Sequence, residues 1–538
     1  MKKYTSLFGV MMVLIFAACS IGSLSDVWKG NSTTLTGQVI QLDADTVTLR
    51  LGELAVVQTS ESAAMESLLA TNFIQAGRSS SHTAPVVQTP MQVFVPWQKD
   101  VVLNLGTAKC FVMADDGAVQ TASLENITPK AILNVTVSGD RTPLTVVVLK
   151  DIRQGKTDAA TLQGTSAASI EESTTRQGEE YTSESADENA LRIIAAKVGL
   201  RSVRVEKSDG GSTSTAASNY YGRNAALLVT GGAQVTLSKG VVNSSASDSC
   251  GVFGHGSGTS LRLNDTTITT TGERGTGLQT SGGACANASN MTITTSGTSA
   301  PVLRTESGSL NVEGGTYTSG GYDAPVIDAA GEVVVQNAEL TANNSEAIVV
   351  SDAGSLSLEN CDVSGNRNSM EEEKEPYTVK IGGQSSPAPK SISFAMSDGS
   401  LLSRNGDVFY IEGADCELEL NRIDLLNMGG GALLRMASKG ERQETAVHLK
   451  AKQQTLSGNL MVDSDSTLQL ELTGTSLLSG AIVRSDDEAG NGYISVKIDQ
   501  SSTWVLTGDS TVDSLDNKGT IQYNGHCITL ADGTVLRA

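Results

Sequence analysis

Apolar and polar residues alternate in short bursts along this chain, and turn-forming residues break the bursts every few positions. From Thr33 to Leu54 the alternation runs through Leu35, Val39, Val47, Leu49 and Leu51 around Asp43-Ala44-Asp45, which predicts a β-hairpin. Residues 60–73 predict a short helix, and strand patterns return at 92–95, 101–105, 131–137 and 144–149. Together they outline a small β-rich domain over residues 30–150. Ser, Thr, Gln, Gly and acidic residues dominate 151–188, which predicts a flexible linker.

Beyond it the pattern repeats. A small-apolar-apolar triplet recurs as Ala226-Leu227-Leu228, Gly251-Val252-Phe253, Gly277-Leu278-Gln279, Pro301-Val302-Leu303, Pro325-Val326-Ile327 and Ala347-Ile348-Val349. Thr378-Val379-Lys380, Val408-Phe409-Tyr410 and Ala432-Leu433-Leu434 continue it. A second strand follows each triplet, as in Ser260-Leu261-Arg262-Leu263. A third carries one apolar residue between polar ones, as in Thr267-Ile268-Thr269, Thr292-Ile293-Thr294 and Thr316-Tyr317-Thr318. Three short strands per repeat, separated by Gly, Asn, Asp and Ser, predict a solenoid in which equivalent strands stack about 4.8 Å apart. The Leu-x-x-Leu-x-Leu ladder of a leucine-rich repeat is missing. The expected fold is all-β: a right-handed single-stranded parallel β-helix over residues 189–538, after a small N-terminal β-rich domain.

These coils resemble the right-handed pectate-lyase-like superfamily. The segment Ser501-Ser502-Thr503-Trp504-Val505-Leu506-Thr507-Gly508-Asp509-Ser510 is similar to the terminal coils of autotransporter passengers. The resemblance implies a bacterial cell-surface β-helix protein. It specifies the fold far better than an activity.

The N-terminus adds an address. Met1-Lys2-Lys3 precedes an apolar run from Leu7 to Ala18 that is shorter than the roughly twenty residues a membrane-spanning helix needs. Residues 1–18 read as a signal peptide. Phe16-Ala17-Ala18-Cys19 resembles the bacterial lipobox, with Phe16 in place of the usual Leu. The resemblance implies a diacylglycerol on Cys19, a tether over 19–29, and a partner in the membrane through that anchor. The expected location is the cell envelope, outside the cytoplasm. With 38 basic against 59 acidic residues the formal charge is −21, which repels phosphate backbones and argues against nucleic-acid partners.

Candidate chemistry is sparse. Gly254-His255-Gly256 resembles the Gly-His-Gly triplet of polygalacturonases, but no Asn-Thr-Asp or Asp-Asp motif precedes it, and inverting hydrolysis needs two opposed carboxyl groups. A tight turn is the simpler expectation. A pectate-lyase-like site would need carboxylates such as Asp328, Asp352 and Glu359 near a basic residue such as Arg304. Arg304 and Asp328 share an offset in successive coils, which predicts an ion pair on the outer surface. Asp463-Ser464-Asp465 and Asp486-Asp487-Glu488 could offer oxygen to calcium without matching a calcium motif, and no cofactor is expected. The threonine columns at 267, 292 and 316 and at 269, 294 and 318 read as good strand formers. Tyr220 and Tyr221 are candidate glycan contacts, because a ring face covers the apolar face of a pyranose. The cysteines beyond Cys19 read as free thiols, with Cys285 and Cys416 at one offset several coils apart. The function expected from these features is non-catalytic: an adhesin or scaffold touching glycans or other surface proteins. The alternative is a carbohydrate-active enzyme, either a polyuronide lyase or a polygalacturonase-like hydrolase.

Overall fold

A computed structural model describes residues 32–43, 45–57, 91–106, 108–113, 119–124, 127–138, 143–149, 163–213, 215–351, 354–368, 376–382, 391–438, 445–485 and 490–538. Residues 1–18, expected as a signal peptide, Cys19 and the helix expected over 60–73 lie outside the described residues.

The N-terminal strands are β1 (Ser32–Asp43), β2 (Thr46–Val57), β3 (Met91–Asn104), β4 (Lys109–Met113), β5 (Val119–Thr121), β6 (Ile132–Ser138) and β7 (Pro143–Leu149). They form one sheet in the order β3-β2-β1-β6-β7-β4-β5, antiparallel throughout except for the parallel β4–β7 pair. The expected hairpin is β1–β2, with Asp43 opposite Thr46. Alternation puts Leu35, Val39, Val47, Leu49, Leu133, Val135 and Val146 in one core.

From Thr165 the chain winds as a right-handed parallel β-helix. First strands stack as Leu227–Thr230, Val252–His255 and Leu278–Ser281, with Leu227, Val252, Leu278, Leu303, Ile327 and Ile348 in one inward column. Second strands follow as Gln234–Ser238 and Ser260–Asn264, and third strands as Val241–Ser244 and Thr267–Thr270. One apolar cluster runs unbroken from Ile170 to Ile528. Trp504 is fully buried in it, its indole N–H donating to the Gly480 carbonyl at 3.0 Å. The last two strands, Ile528–Leu530 and Val535–Leu536, turn antiparallel.

Two corners explain why the winding holds. Between second and third strands a single residue takes the left-handed conformation: Asp265 (φ 48°), Asn290 (51°), Asn337 (57°) and Asn360 (51°). Asn and Asp tolerate that region better than other side-chain-bearing residues. At the end of the third strand an inward hydroxyl reaches across the next bend. Thr270 Oγ1 donates to the Gly275 carbonyl at 2.8 Å, Thr295 Oγ1 to Ala300 at 2.7 Å, and Ser319 Oγ to Ala324. The residue before each of those carbonyls is left-handed: Arg274, Ser299 and Asp323. Lys207 replaces the hydroxyl where helix α1 (Thr215–Tyr221) is inserted, and its ammonium donates to Ser183 Oγ and the Ser185 carbonyl.

Three expectations need correction. The span 151–188 is not all linker: Thr165–Ile170, Thr174–Gln177 and Glu180–Ser183 pair with the following coil, as in Ile193 opposite Ile170 and Val198 opposite Thr174. A terminal coil covers its neighbour from one side only, so it folds with few apolar residues. The repeat alignment slips by one at Pro301, Pro325 and Ala432; Leu303, Ile327 and Leu434 are the inward residues. Cys285 stacks in the column of Glu417, whereas Cys416 sits one place earlier and faces inward. With a side-chain period of two, a one-residue slip exchanges core for surface.

Candidate functional site

The first-strand face carries the concentrated chemistry. Its outward column runs Leu228, Phe253, Gln279, Arg304, Asp328, Val349, Lys380, Tyr410, Arg435 and Met461.

Helix α1 lies over its first part. Gln279 donates its amide to the Asn219 carbonyl, and Ser281 Oγ donates to the Tyr220 carbonyl at 2.5 Å. Tyr220 and Tyr221 pack edge-on at 4.9 Å and both rest against the His255 ring, at 5.7 and 5.2 Å. Tyr221 is only 6% exposed, so its ring face is spent on the fold and not on a sugar; Tyr220 is half-buried. His255 is the last residue of a strand, and the turn follows at Gly256 (φ 90°). Its Nδ1 shares a 2.9 Å hydrogen bond with Ser281 Oγ, and burial pulls its pKa down to about 4. The imidazole is therefore neutral at ordinary pH.

Arg304 and Asp328 do meet, at 3.3 Å, and Arg304 also pairs with Glu306 at 2.7 Å. The pair is only partly open to solvent: the Arg304 side chain is 9% exposed and that of Asp328 23%. The other carboxylates stand elsewhere. Glu359 lies on a second strand and accepts from Gln336 Nε2 at 2.6 Å, and Asp352 lies outside the described residues. At the Asp463-Ser464-Asp465 corner an arginine is already present: Arg484 donates to the Asp463 carbonyl at 3.1 Å, the Gly492 carbonyl at 3.0 Å and Asp513 at 3.0 Å. Asp486-Asp487-Glu488 falls outside the described residues. Among the described residues no three His, Cys, Asp or Glu side chains gather as metal ligands.

Further along, the face holds a second cluster. Arg367, just after a third strand, places its guanidinium 5.0 Å from the Tyr377 ring centroid and 5.9 Å from that of Tyr322. It pairs with Asp323 at 3.0 Å and with the nearly buried Glu346. Tyr377 stacks on Tyr410 at 5.2 Å with planes 15° apart. Burial pushes the Tyr410 phenol up to about 12. One coil on, the buried Asp407 carboxylate accepts from the Ala432 amide at 2.6 Å and from Arg435 Nε at 2.5 Å. Beside this cluster opens a groove of about 580 Å³, lined by Arg367, Asn368, Asn405, Asp407, Arg435 and Asn459, with Pro376, Ala432 and Met461 and the glycines 406, 429, 430 and 431. Lys380, Tyr410 and Arg435 share one offset, and that was the available signal. The uneven insertions between them hide it in the linear text.

The fold and this groove define a parallel β-helix with a polar surface cleft. No family model and no curated protein matches the chain. Among solved structures, a chain of the cryo-EM structure of the Vag8–C1 inhibitor complex is similar at 15% identity and a TM-score of 0.38, over 68% of this chain and 99% of that one. At that level the likeness says nothing about what this chain binds.

Proposed function

We propose that this chain is a lipid-anchored protein of the bacterial cell envelope, exposed outside the cytoplasm, that works without catalysis as an adhesin or scaffold touching glycans or other surface proteins. The reading of the anchor rests on Phe16-Ala17-Ala18-Cys19 after a short apolar run; two acyl chains on Cys19 would hold the protein stably where one would not. A rigid rod of stacked coils lets weak contacts act together once tethered.

One observation carries the non-catalytic reading. Five carboxylates at the first-strand face are tied to arginines: Glu306 and Asp328 to Arg304, Asp323 and Glu346 to Arg367, and Asp407 to Arg435. A carboxylate engaged by a guanidinium has oxygens already taken by donors and is held away from a substrate proton. Hydrolysis or β-elimination of a sugar chain would need one of them poised to exchange a proton.

The test has two arms. Expressed in a bacterial host, the protein should partition into detergent and incorporate a labelled fatty acid, and Cys19→Ser should abolish both. Beads coated with the purified protein should be retained on glycan-coated surfaces, while polygalacturonate incubated with it should yield neither unsaturated products nor new reducing ends. Turnover of polygalacturonate would establish the enzyme reading instead.

A further inference from the structure

Resting on that reading, we propose that the groove between Pro376 and Met461 is the saccharide site, and that it takes a neutral sugar chain.

The groove is preformed by its own hydrogen bonds. Asn427 holds both sides of the triple-glycine turn, donating from Nδ2 to the Gly431 carbonyl at 2.8 Å and accepting from the Gly430 amide at 3.2 Å. Asp407 fixes the chain just after it through the Ala432 amide. The glycines are required by close approach: a Cβ on Gly429 would stand 2.5 Å from the Gly406 nitrogen, and one on Gly431 would stand 2.3 Å from the Gly406 carbonyl carbon. The floor is therefore bare backbone pressed against backbone, open to a ligand, and little ordering remains to be done on binding.

The lining matches a polyol. Asn368 and Asn405 form a fixed amide ladder, Asn368 Nδ2 donating to Asn344 and Asn405 Nδ2 to Asn366 and Asn368, and Asn459 accepts from the Ala481 amide; the donor and acceptor positions they have beyond these bonds, set between the guanidinium planes of Arg367 and Arg435, give the mixture that neighbouring sugar hydroxyls need. Pro376, Ala432 and Met461 supply the smaller apolar surface against which C–H faces rest. The volume, about 580 Å³, lies in the range of small-ligand sites. A peptide fits less well, because extended peptides add to a free strand edge or fill apolar pockets. Here the first strands on both sides of the groove are paired by the coils above and below.

Charge selects the class of sugar. The two arginines that line the groove are already paired with carboxylates, Arg435 with Asp407 in the lining and Arg367 with Asp323 and Glu346 beside it, and the whole chain carries −21. A uronate or a sulfate would have to displace those ion pairs and enter against the net charge of the chain.

The experiment uses the full chain in detergent micelles on an array of neutral hexasaccharides (β-1,4-glucan, β-1,4-xylan, β-1,4-mannan and α-1,4-glucan) beside polygalacturonate and hyaluronan, with calorimetric titration of the strongest binder. Two variants fill the groove without touching the core. Asn368→Trp is on the exposed rim, and Gly430→Asn is at φ 72° with nothing within 4 Å of its Cβ. We expect binding to at least one neutral chain, little changed at 0.5 M salt, and a tenfold or greater loss in both variants with unchanged melting. A folded wild type that binds no neutral chain, or binds only the acidic ones, overturns the proposal, as do variants that bind undiminished. If the coated beads still hold to glycan surfaces in those cases, the groove assignment has failed and the surface-contact reading has not.

Discussion

The guanidinium of Arg367 lies 5.0 Å from the ring centroid of Tyr377 while its Nη1 pairs with the carboxylate of Glu346, whose side chain is only 6% exposed. One residue outside the strands thereby ties three successive coils together, and removing it strands a buried charge. Arg367→Ala should destabilise the rod by about 3 kcal/mol in denaturant unfolding. The double variant with Glu346→Gln should cost clearly less than the sum of the two single changes. Strict additivity would mean that the pair is not coupled.

The corner hydroxyls make a second prediction. Thr270 is fully buried and its Oγ1 reaches the Gly275 carbonyl at 2.8 Å. Thr270→Val keeps the shape and leaves that carbonyl without its donor, which costs about 1–2 kcal/mol; Thr270→Ser should restore most of it. Hydrogen exchange at residues 270–277 reads the local loss, and equal protection in the valine variant would remove the corner from the account.

Acid should loosen helix α1. His255 titrates near 4 in the fold because of burial, against 6.5 in an open chain. A base with a lowered folded pKa binds more protons when unfolded, so stability is lost as the pH falls from about 6.5 to about 4, by roughly 3 kcal/mol in all. The Tyr220 and Tyr221 fluorescence should report release of the helix in that window. His255→Gln should flatten the pH dependence there.

Lys207 makes a prediction of the same sign at high pH. It is fully buried, and desolvation lowers its pKa to about 8, against the partial opposition of Glu188, Asp209 and Asp187. The unfolded chain holds its proton up to about 10.5, so this group makes stability rise between pH 8 and 10.5. Lys207→Met should abolish that rise and leave the protein no less stable at pH 7. Melting temperatures across the series decide it, and a wild type that weakens steadily above pH 8 while the methionine variant does not would contradict the assignment.

Most of the winding was legible because it is dictated locally. Thr267-Ile268-Thr269 and Ser260-Leu261-Arg262-Leu263 alternate with a period of two, and only one face of each can enter the core. The first coil was missed because a terminal turn such as Thr165–Ile170 buries so little that its composition reads as linker. The offset errors at Pro301 and Cys416 have the same root: composition marks that a strand exists, and pairing alone fixes which residue sits opposite which.

The candidate site was hardly legible. Tyr220 and Tyr221 looked available as neighbouring aromatics, yet the helix that carries them turns Tyr221 into His255. Arg304 and Asp328 were matched correctly, but the arginine is more deeply covered than its outward position suggests.

The sequence by itself determined that the chain stacks in parallel coils around one apolar interior, because the inward positions are filled from a few residues of local text and repeat with every turn. Only the tertiary structure decided that Arg367, Asp407, Arg435 and Asn459 converge on one groove. They come from different coils separated by insertions of unequal length, and register, set by backbone pairing between neighbouring turns, is what brings their outward side chains together.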